Sequence, residues 1–84
     1  NPADAFLTAR CVKGEEGFVP NEMLWEAWEE WRRVNRVKFE VSRNKLGRYL
    51  IEEGTWGLKK HRQANGGPRG VKGLSLRREI DDSV

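Results

Sequence analysis

Apolar residues recur with the 3.6-residue period of an amphipathic helix in two stretches of the first 35 positions. The first stretch follows Asn1, a favourable helix cap, and Pro2, which is well tolerated at a first helical position, and it ends at Gly14. Asn21 is the expected cap of a second helix, about Glu22 to Asn35. Its apolar stripe consists of Leu24, Ala27, Trp28, Trp31 and Val34.

The segments that flank the second helix have weaker patterns. Residues 15–17 predict a loop, and residues 18–19 are too few for more than a bridging strand. Residues 36–41 alternate between charged and apolar side chains, which predicts a short extended segment. We expect this segment to place Val37 or Phe39 in the core.

A third helix and a hairpin complete the pattern. Ser42 is the expected cap of a helix from about Arg43 to Glu53, and Gly54 is the expected stop. Residues 56–62 and 71–76 then read as two strands, joined by a glycine-rich basic loop that predicts a hairpin. The predicted order is therefore helix, helix, helix, hairpin.

Positive charge is concentrated in the second half of the chain. Residues 1–41 carry six Lys/Arg and eight Asp/Glu, whereas residues 42–78 carry ten Lys/Arg and only two Asp/Glu. The acidic end, residues 79–84, brings the net charge to +3. Winged-helix modules bind a polyanion such as DNA through a basic helix followed by a basic hairpin.

We therefore predict a mainly α protein with a small β-hairpin, a winged helix-turn-helix of three helices plus a wing. The single domain is expected over residues 1–76, and residues 77–84 are expected to form a frayed tail. A chain of 84 residues supports only one compact core, which its eight aromatic residues can fill.

Composition narrows the cellular setting. A single cysteine, Cys11, excludes a disulfide framework, and its apolar helical context predicts a buried structural thiol. The lone cysteine fits a reducing compartment, and we expect the cytoplasm. No apolar run approaches the roughly 18 residues of a membrane span, so no membrane role is expected. The start, Asn1 to Asp4, has neither an initiator methionine nor a signal pattern, which indicates a domain from a longer protein.

The chain offers no evident catalytic chemistry. It lacks a glycine-rich loop with Lys-Ser/Thr for nucleotide phosphates. Cys11 and His61 lie far apart in the pattern, and one histidine with one cysteine cannot supply the roughly four ligands of a zinc site. We therefore predict no catalytic residue, no metal site and no cofactor.

The expected exposed side of the third helix carries side chains of the types that commonly contact DNA. Arginine pairs with guanine edges, asparagine with adenine and lysine with phosphate, and the candidates are Arg43, Asn44, Lys45 and Arg48. The Ser42 hydroxyl and the first-turn N–H groups can also bind a phosphate. Gly47 permits close approach, either of a DNA backbone or of a neighbouring helix.

The hairpin adds a second set of candidates, which would follow the sugar-phosphate backbone: Lys59, Lys60, Arg62, Arg69 and Lys72. A simpler explanation is that these charges only keep an edge hairpin soluble and free of aggregation. The contrast in charge between the two halves favours nucleic acid.

The tryptophans are mainly expected in the core. Trp28 and Trp31 lie on the apolar stripe, and Trp25 lies toward its flank. Trp56 follows the Gly54 turn, where it either plugs the base of the hairpin or stacks on a base.

Three runs in this order resemble the C-terminal winged-helix domain of phage and plasmid primase-helicases, also found at the end of poxvirus-type primase-helicases. The runs are FVPNEMLWEAWEEW (18–31), SRNKLGRYL (42–50) and RGVKGLSL (69–76). The resemblance covers about residues 5–76. The tryptophans at both Trp25 and Trp28 depart from the family pattern, which usually has a small or aromatic residue in this helix.

The resemblance implies a DNA-facing helix and a DNA-contacting wing. The helix residues would be Arg43, Asn44, Lys45 and Arg48, and the wing residues Lys59, Lys60, Arg62 and Arg69. It further implies a parent with a ring-forming helicase ATPase, and often a primase, N-terminal to this domain. The domain itself would be monomeric and would help to hold or load that ring on origin or forked DNA.

Two other functions stay open. The chain could be a stand-alone transcription regulator or excisionase, which would need a dimer or a second reader for specificity. Alternatively, it could bind a basic protein partner through the acidic side of the second helix and have no affinity for DNA.

Overall fold

The computed structural model describes residues 1–62 and 66–77. Its helices are α1 (Pro2–Arg10), α2 (Asn21–Val34) and α3 (Leu46–Glu53), and a 3₁₀ turn (Arg43–Lys45) precedes α3. Its strands are β1 (Cys11–Pro20), β2 (Lys59–Arg62) and β3 (Arg69–Leu76). The predicted tail beyond Arg77 and part of the predicted hairpin loop, residues 63–65, lie outside the described residues.

The fold is α+β, and the predicted mainly α winged helix-turn-helix of three helices plus a wing is wrong. The three strands form one antiparallel sheet in the order β1-β3-β2. The prediction missed β1, a ten-residue strand that replaces the expected end of the first helix, the loop and the bridge. Residues 13–17 contain no apolar side chain, so the alternation that identifies a strand is absent there.

β1 is defined by its pairing with β3 and has no hydrophobic pattern of its own. The register runs from Cys11 opposite Leu76 to Pro20 opposite Gly70. It shifts between Lys13 and Phe18, where β1 has more residues than β3, as in a β-bulge. The predicted hairpin is confirmed, because β2 pairs antiparallel with β3 from Lys59 to Arg62.

The helices pack on one face of this sheet around an aromatic cluster. Trp28 and Trp31 are buried, as predicted, and the ring of Phe6 meets them edge-on at centroid distances of 5.4 and 5.7 Å. Trp56 is partly buried against the core, which fits a plug at the base of the hairpin. The other fully or nearly buried side chains come from all three helices and the sheet and include Leu7, Cys11, Val19, Leu24, Leu46, Leu50, Leu58, Val71 and Leu74.

The link from α2 to the 3₁₀ turn begins with a helix-ending motif. The Val37 N–H donates to the Arg32 carbonyl at 2.9 Å, and the Arg36 N–H donates to the Arg33 carbonyl at 3.3 Å. Arg36 has a φ of 55°, in the left-handed position where such motifs usually have glycine. Val37 then packs against the core, as expected, but residues 37–42 form no strand.

Candidate nucleic-acid interface

Close packing at Gly47 brings the start of α3 to the hairpin. A Cβ at this position would lie 3.2 Å from Oδ1 of Asn21 and 3.5 Å from Cγ2 of Val71. The missing side chain therefore lets α3 approach both the start of α2 and the central strand β3. Of the two roles considered for Gly47, the structure supports helix packing.

The residues before α3 form a 3₁₀ turn in place of the first turn of the predicted helix. The Lys45 N–H donates to the Ser42 carbonyl at 3.0 Å, and the α-helix begins only at Leu46. Ser42 stands at the cap position of the 3₁₀ turn, but its side chain makes no capping hydrogen bond. Ser42 therefore holds the predicted cap position without a capping hydrogen bond. The exposed residues 43–45 are presented on a tighter turn.

Alternation along the strands divides the basic side chains of the hairpin between two faces of the sheet. Val71 is buried against the helices, and Lys60 lies directly opposite it in the register. Arg62 pairs with Arg69 two positions further along. Lys60, Arg62 and Arg69 therefore lie on the face that carries α3, beyond the edge of the core.

A cleft of about 470 Å³ separates these hairpin residues from the start of α3. Six of the ten predicted DNA-binding residues line it: Asn44, Lys45, Arg48, Lys60, Arg62 and Arg69. The lining contains five cations and no carboxylate among the residues that the structure describes. Tertiary packing thus brings predicted helix residues and predicted hairpin residues to one cleft. We call it the basic cleft.

Most of the charge in the basic cleft is uncompensated. Arg48 donates from Nε to Oε2 of Glu52 at 2.9 Å, and this hydrogen bond, together with the charge of Glu52, raises the pKa of the guanidinium. Both side chains of this pair are exposed, so water and salt screen the pair. The other four cations make no ion pair within residues 1–62 and 66–77, and they leave the cleft electropositive.

The other four predicted residues lie outside the basic cleft. Arg43 donates to Oε2 of Glu22 at 3.2 Å, which ties the 3₁₀ turn to the start of α2. Ser42 lies just before that turn. Lys59 and Lys72 face each other across the strands, on the side of the sheet away from the helices.

One polar residue, Asn21, lines the basic cleft without having been predicted to bind. Asn21 was expected only as a helix cap; the cap position is instead Pro20, and Asn21 reaches the cleft because α2 begins beside Gly47. His61 borders the cleft from β2, but its ring lies on the opposite side of the sheet, where it meets the ring of Phe18 at a centroid distance of 5.5 Å. No local pattern marks Asn21, since its proximity to α3 depends on a contact between distant segments.

Three of the four acidic side chains of α2 have an arginine partner. Glu22 pairs with Arg43 at 3.2 Å, and Glu29 pairs with Arg32 at 3.3 Å. Glu30 accepts from Arg10 at 3.4 Å. A groove of about 750 Å³ that follows the end of α2 has a lining of mixed charge. This side of the molecule therefore lacks the uniform field found in the basic cleft.

The described residues contain no group of three or more His, Cys, Asp or Glu side chains that could hold a metal ion. None of the helices in that part of the chain is long and apolar enough to cross a membrane. Comparison with protein-family models, with curated proteins and with solved structures gives no match to this chain.

Proposed function

We propose that this chain is a non-catalytic DNA-binding domain and that the basic cleft holds the sugar-phosphate backbone. One observation carries the proposal: five cations from α3, its preceding turn and the hairpin line a single cleft that has no carboxylate in its described lining. Lysine and arginine side chains that replace condensed counterions supply most of the affinity for DNA of any sequence. The polar residues among them add donors and acceptors for the same partner.

The chemistry of the side chains suggests a division of roles. Lys60, Arg62 and Arg69 on the hairpin are proposed to contact phosphates, which positions the domain without reading sequence. Asn44 and Arg48 are the residues that we propose for base edges, because their side chains can pair with adenine and guanine. Lys45 would neutralise a phosphate beside them.

We propose for the larger protein a role as a replication primase-helicase of the phage and plasmid type, acting in the cytoplasm. This domain would help to hold or load the helicase on origin or forked DNA and would itself be a monomer. The support is the resemblance of residues 18–31, 42–50 and 69–76 to such proteins. The lone cysteine agrees with a reducing compartment.

Binding of a basic protein through α2 is the weaker candidate. Three of its acidic side chains already pair with arginines of this chain, so a partner would have to compete with them. Nothing comparable neutralises the lysines of the basic cleft in the described parts of the chain.

The test is fluorescence anisotropy of labelled duplex, single-stranded and forked DNA at several salt concentrations. Wild-type affinity for duplex is expected to fall steeply with salt, with a log–log slope that corresponds to about four to six phosphates at roughly −0.9 each. The double variant Lys45→Ala/Arg48→Ala should bind duplex about tenfold or more weakly, with a slope smaller by about 1.8.

The matched control is Arg33→Ala/Lys38→Ala, which removes two exposed cations from the mixed groove at the end of α2. Its duplex affinity should stay within about threefold of wild type, because the charges removed are remote from the basic cleft. A correctly folded Lys45/Arg48 variant with wild-type affinity would refute the assignment of the cleft.

A further inference from the structure

The side of the sheet away from the helices, which we call the outer face, has its own basic character. Along β3, the side chains of Val71 and Leu74 are buried. Lys72, which follows Val71, and Ser75, which follows Leu74, are exposed. Lys59 of β2 lies directly opposite Lys72 and is exposed as well. The outer face therefore presents two adjacent ammonium groups to solvent.

This lysine pair is unfavourable in the absence of an anion. Like charges directly opposite each other on neighbouring strands repel, since their Cβ atoms are only about 5 Å apart. Neither Lys59 nor Lys72 makes an ion pair with any residue of the described chain. A bound phosphodiester would relieve the repulsion by lying between the two ammonium groups.

An aromatic surface lies next to the lysine pair. Phe18 of β1 lies opposite Lys72, and its ring meets His61 edge-on at a centroid distance of 5.5 Å. The ring crosses the central strand at Gly70, where a Cβ would lie 2.8 Å from Cζ of Phe18. Partly exposed aromatic rings beside cations are the combination that binds single-stranded nucleic acid, because bases stack on rings while phosphates meet the cations.

The hairpin thus carries cations on both of its faces. Lys60, Arg62 and Arg69 line the basic cleft, and Lys59 with Lys72 lies on the outer face. One straight duplex seated in the cleft cannot reach the other side of the sheet. Forked DNA has two diverging segments, and its negatively charged single-stranded arm fits the charge of the outer face.

We propose that the outer face is a second DNA-binding surface, which takes the single-stranded arm of a fork while the basic cleft holds the adjoining duplex. This inference rests on the proposed function and specifies its substrate as branched DNA. The hairpin would lie between the two segments, with Lys59, Lys72 and Phe18 in contact with the single strand.

The experiment compares Lys59→Ala/Lys72→Ala with the matched variant Lys60→Ala/Arg62→Ala, which removes the same charge from the opposite face of the same hairpin. Anisotropy is measured on a blunt duplex and on the same duplex extended by a single-stranded thymidine arm, over a range of salt. The outer variant should bind the forked substrate about tenfold more weakly, with a salt slope smaller by about 1.4, and bind the blunt duplex within twofold of wild type. The cleft variant should lose affinity for both substrates.

The possible failures differ from one another. If the outer variant binds both substrates as wild type does, the second surface is refuted and the basic cleft stands. If it weakens on both equally, the outer face does not select the single strand and this inference is refuted, while the cleft variant separately tests the basic cleft. If wild-type protein with a folded spectrum binds neither substrate at low salt, both the proposed function and this inference are refuted. Both variants remove only exposed side chains, so a circular dichroism spectrum suffices to verify folding.

Discussion

At the scale of single residues, Cys11 shows how burial decides chemistry. The predicted burial of its thiol is confirmed, with a side chain only 1% exposed at the start of β1. Burial raises the pKa of the thiol to about 11, although the nearby charges of Arg10 and Arg77 oppose this shift. Since the thiolate is the reactive form, the residue is a structural and unreactive thiol near neutral pH.

The raised pKa predicts a pH dependence of stability. A thiol with a pKa of about 11 in the folded protein and about 9 in the unfolded chain holds its proton better when folded. Its contribution is therefore complete below pH 9 and is lost as the pH rises toward 11. Between pH 8 and pH 10.5, urea denaturation should show wild type losing about 1–2 kcal/mol more unfolding free energy than Cys11→Ala. Equal losses of unfolding free energy in the two proteins would show that Cys11 does not titrate in this way. Burial also raises the pKa of Tyr49, but this residue is present in both proteins and its effect cancels in the comparison.

At the scale of elements, the crossing of β1 and β3 organises the sheet. Pro20 lies opposite Gly70, and Phe18 passes over the same glycine. A Cβ at position 70 would meet the Val19 carbonyl as well as the Phe18 ring. The absence of a side chain at Gly70 therefore permits the close contact that joins β1 to the central strand, and it leaves the ring of Phe18 on the outer face.

This contact predicts that Gly70→Ala destabilises the protein. Overpacking a close contact typically costs about 1–3 kcal/mol, and here two of the neighbouring atoms belong to the backbone, which yields less readily than a side chain. Chemical denaturation should show a loss of unfolding free energy in that range. The control is Gly14→Ala on β1, where a Cβ would meet nothing within 4 Å, and this variant should be neutral or stabilised by about 0.5 kcal/mol. A neutral Gly70→Ala variant would mean that β1 can shift away without loss.

At the scale of the whole molecule, the charge is arranged in two contrasting regions. Three of the four acidic side chains of α2 pair with arginines, which come from α1, from α2 itself and from the 3₁₀ turn. Within residues 1–62 and 66–77, the cations of the basic cleft and the outer face have no acidic partner, apart from Arg48 in its exposed pair with Glu52. The hairpin and the start of α3 therefore form a region rich in unpaired cations within the described residues, although the net charge is only +3.

This arrangement predicts that DNA stabilises the whole fold. Duplex at a free concentration of about a hundred times its dissociation constant should raise the unfolding free energy of the domain by about 2.7 kcal/mol. The reason is that the duplex binds the assembled cleft of the folded protein in preference to the dispersed charges of the unfolded chain. For a domain of this size the melting temperature should then rise by about 10–20 °C. The gain should vanish in about 1 M salt, where the screening length is only about 3 Å. Equal stabilisation of the Lys45→Ala/Arg48→Ala variant in the same DNA would show that the effect does not arise in the basic cleft.

The sequence by itself determined the features that depend on neighbouring residues. Helical periodicity located α2 and its buried tryptophans, and the glycine-rich interruption located the β2–β3 hairpin. The contrast in charge marked residues 42–78 as the basic segment. These features were predictable because caps, periodicity and charge density are local properties of a chain.

Only the tertiary structure decided which distant residues act together. β1 was missed because residues 13–17 have no apolar alternation, and the strand is defined by the pairs with β3 on either side of this segment. Asn21 joined the basic cleft through the contact of α2 with Gly47. The sheet register places Lys59 and Lys72 on one face and Lys60 and Arg62 on the other, although the sequence gives no sign of this division. Such outcomes depend on pairing and packing between distant segments, which no local window of sequence contains.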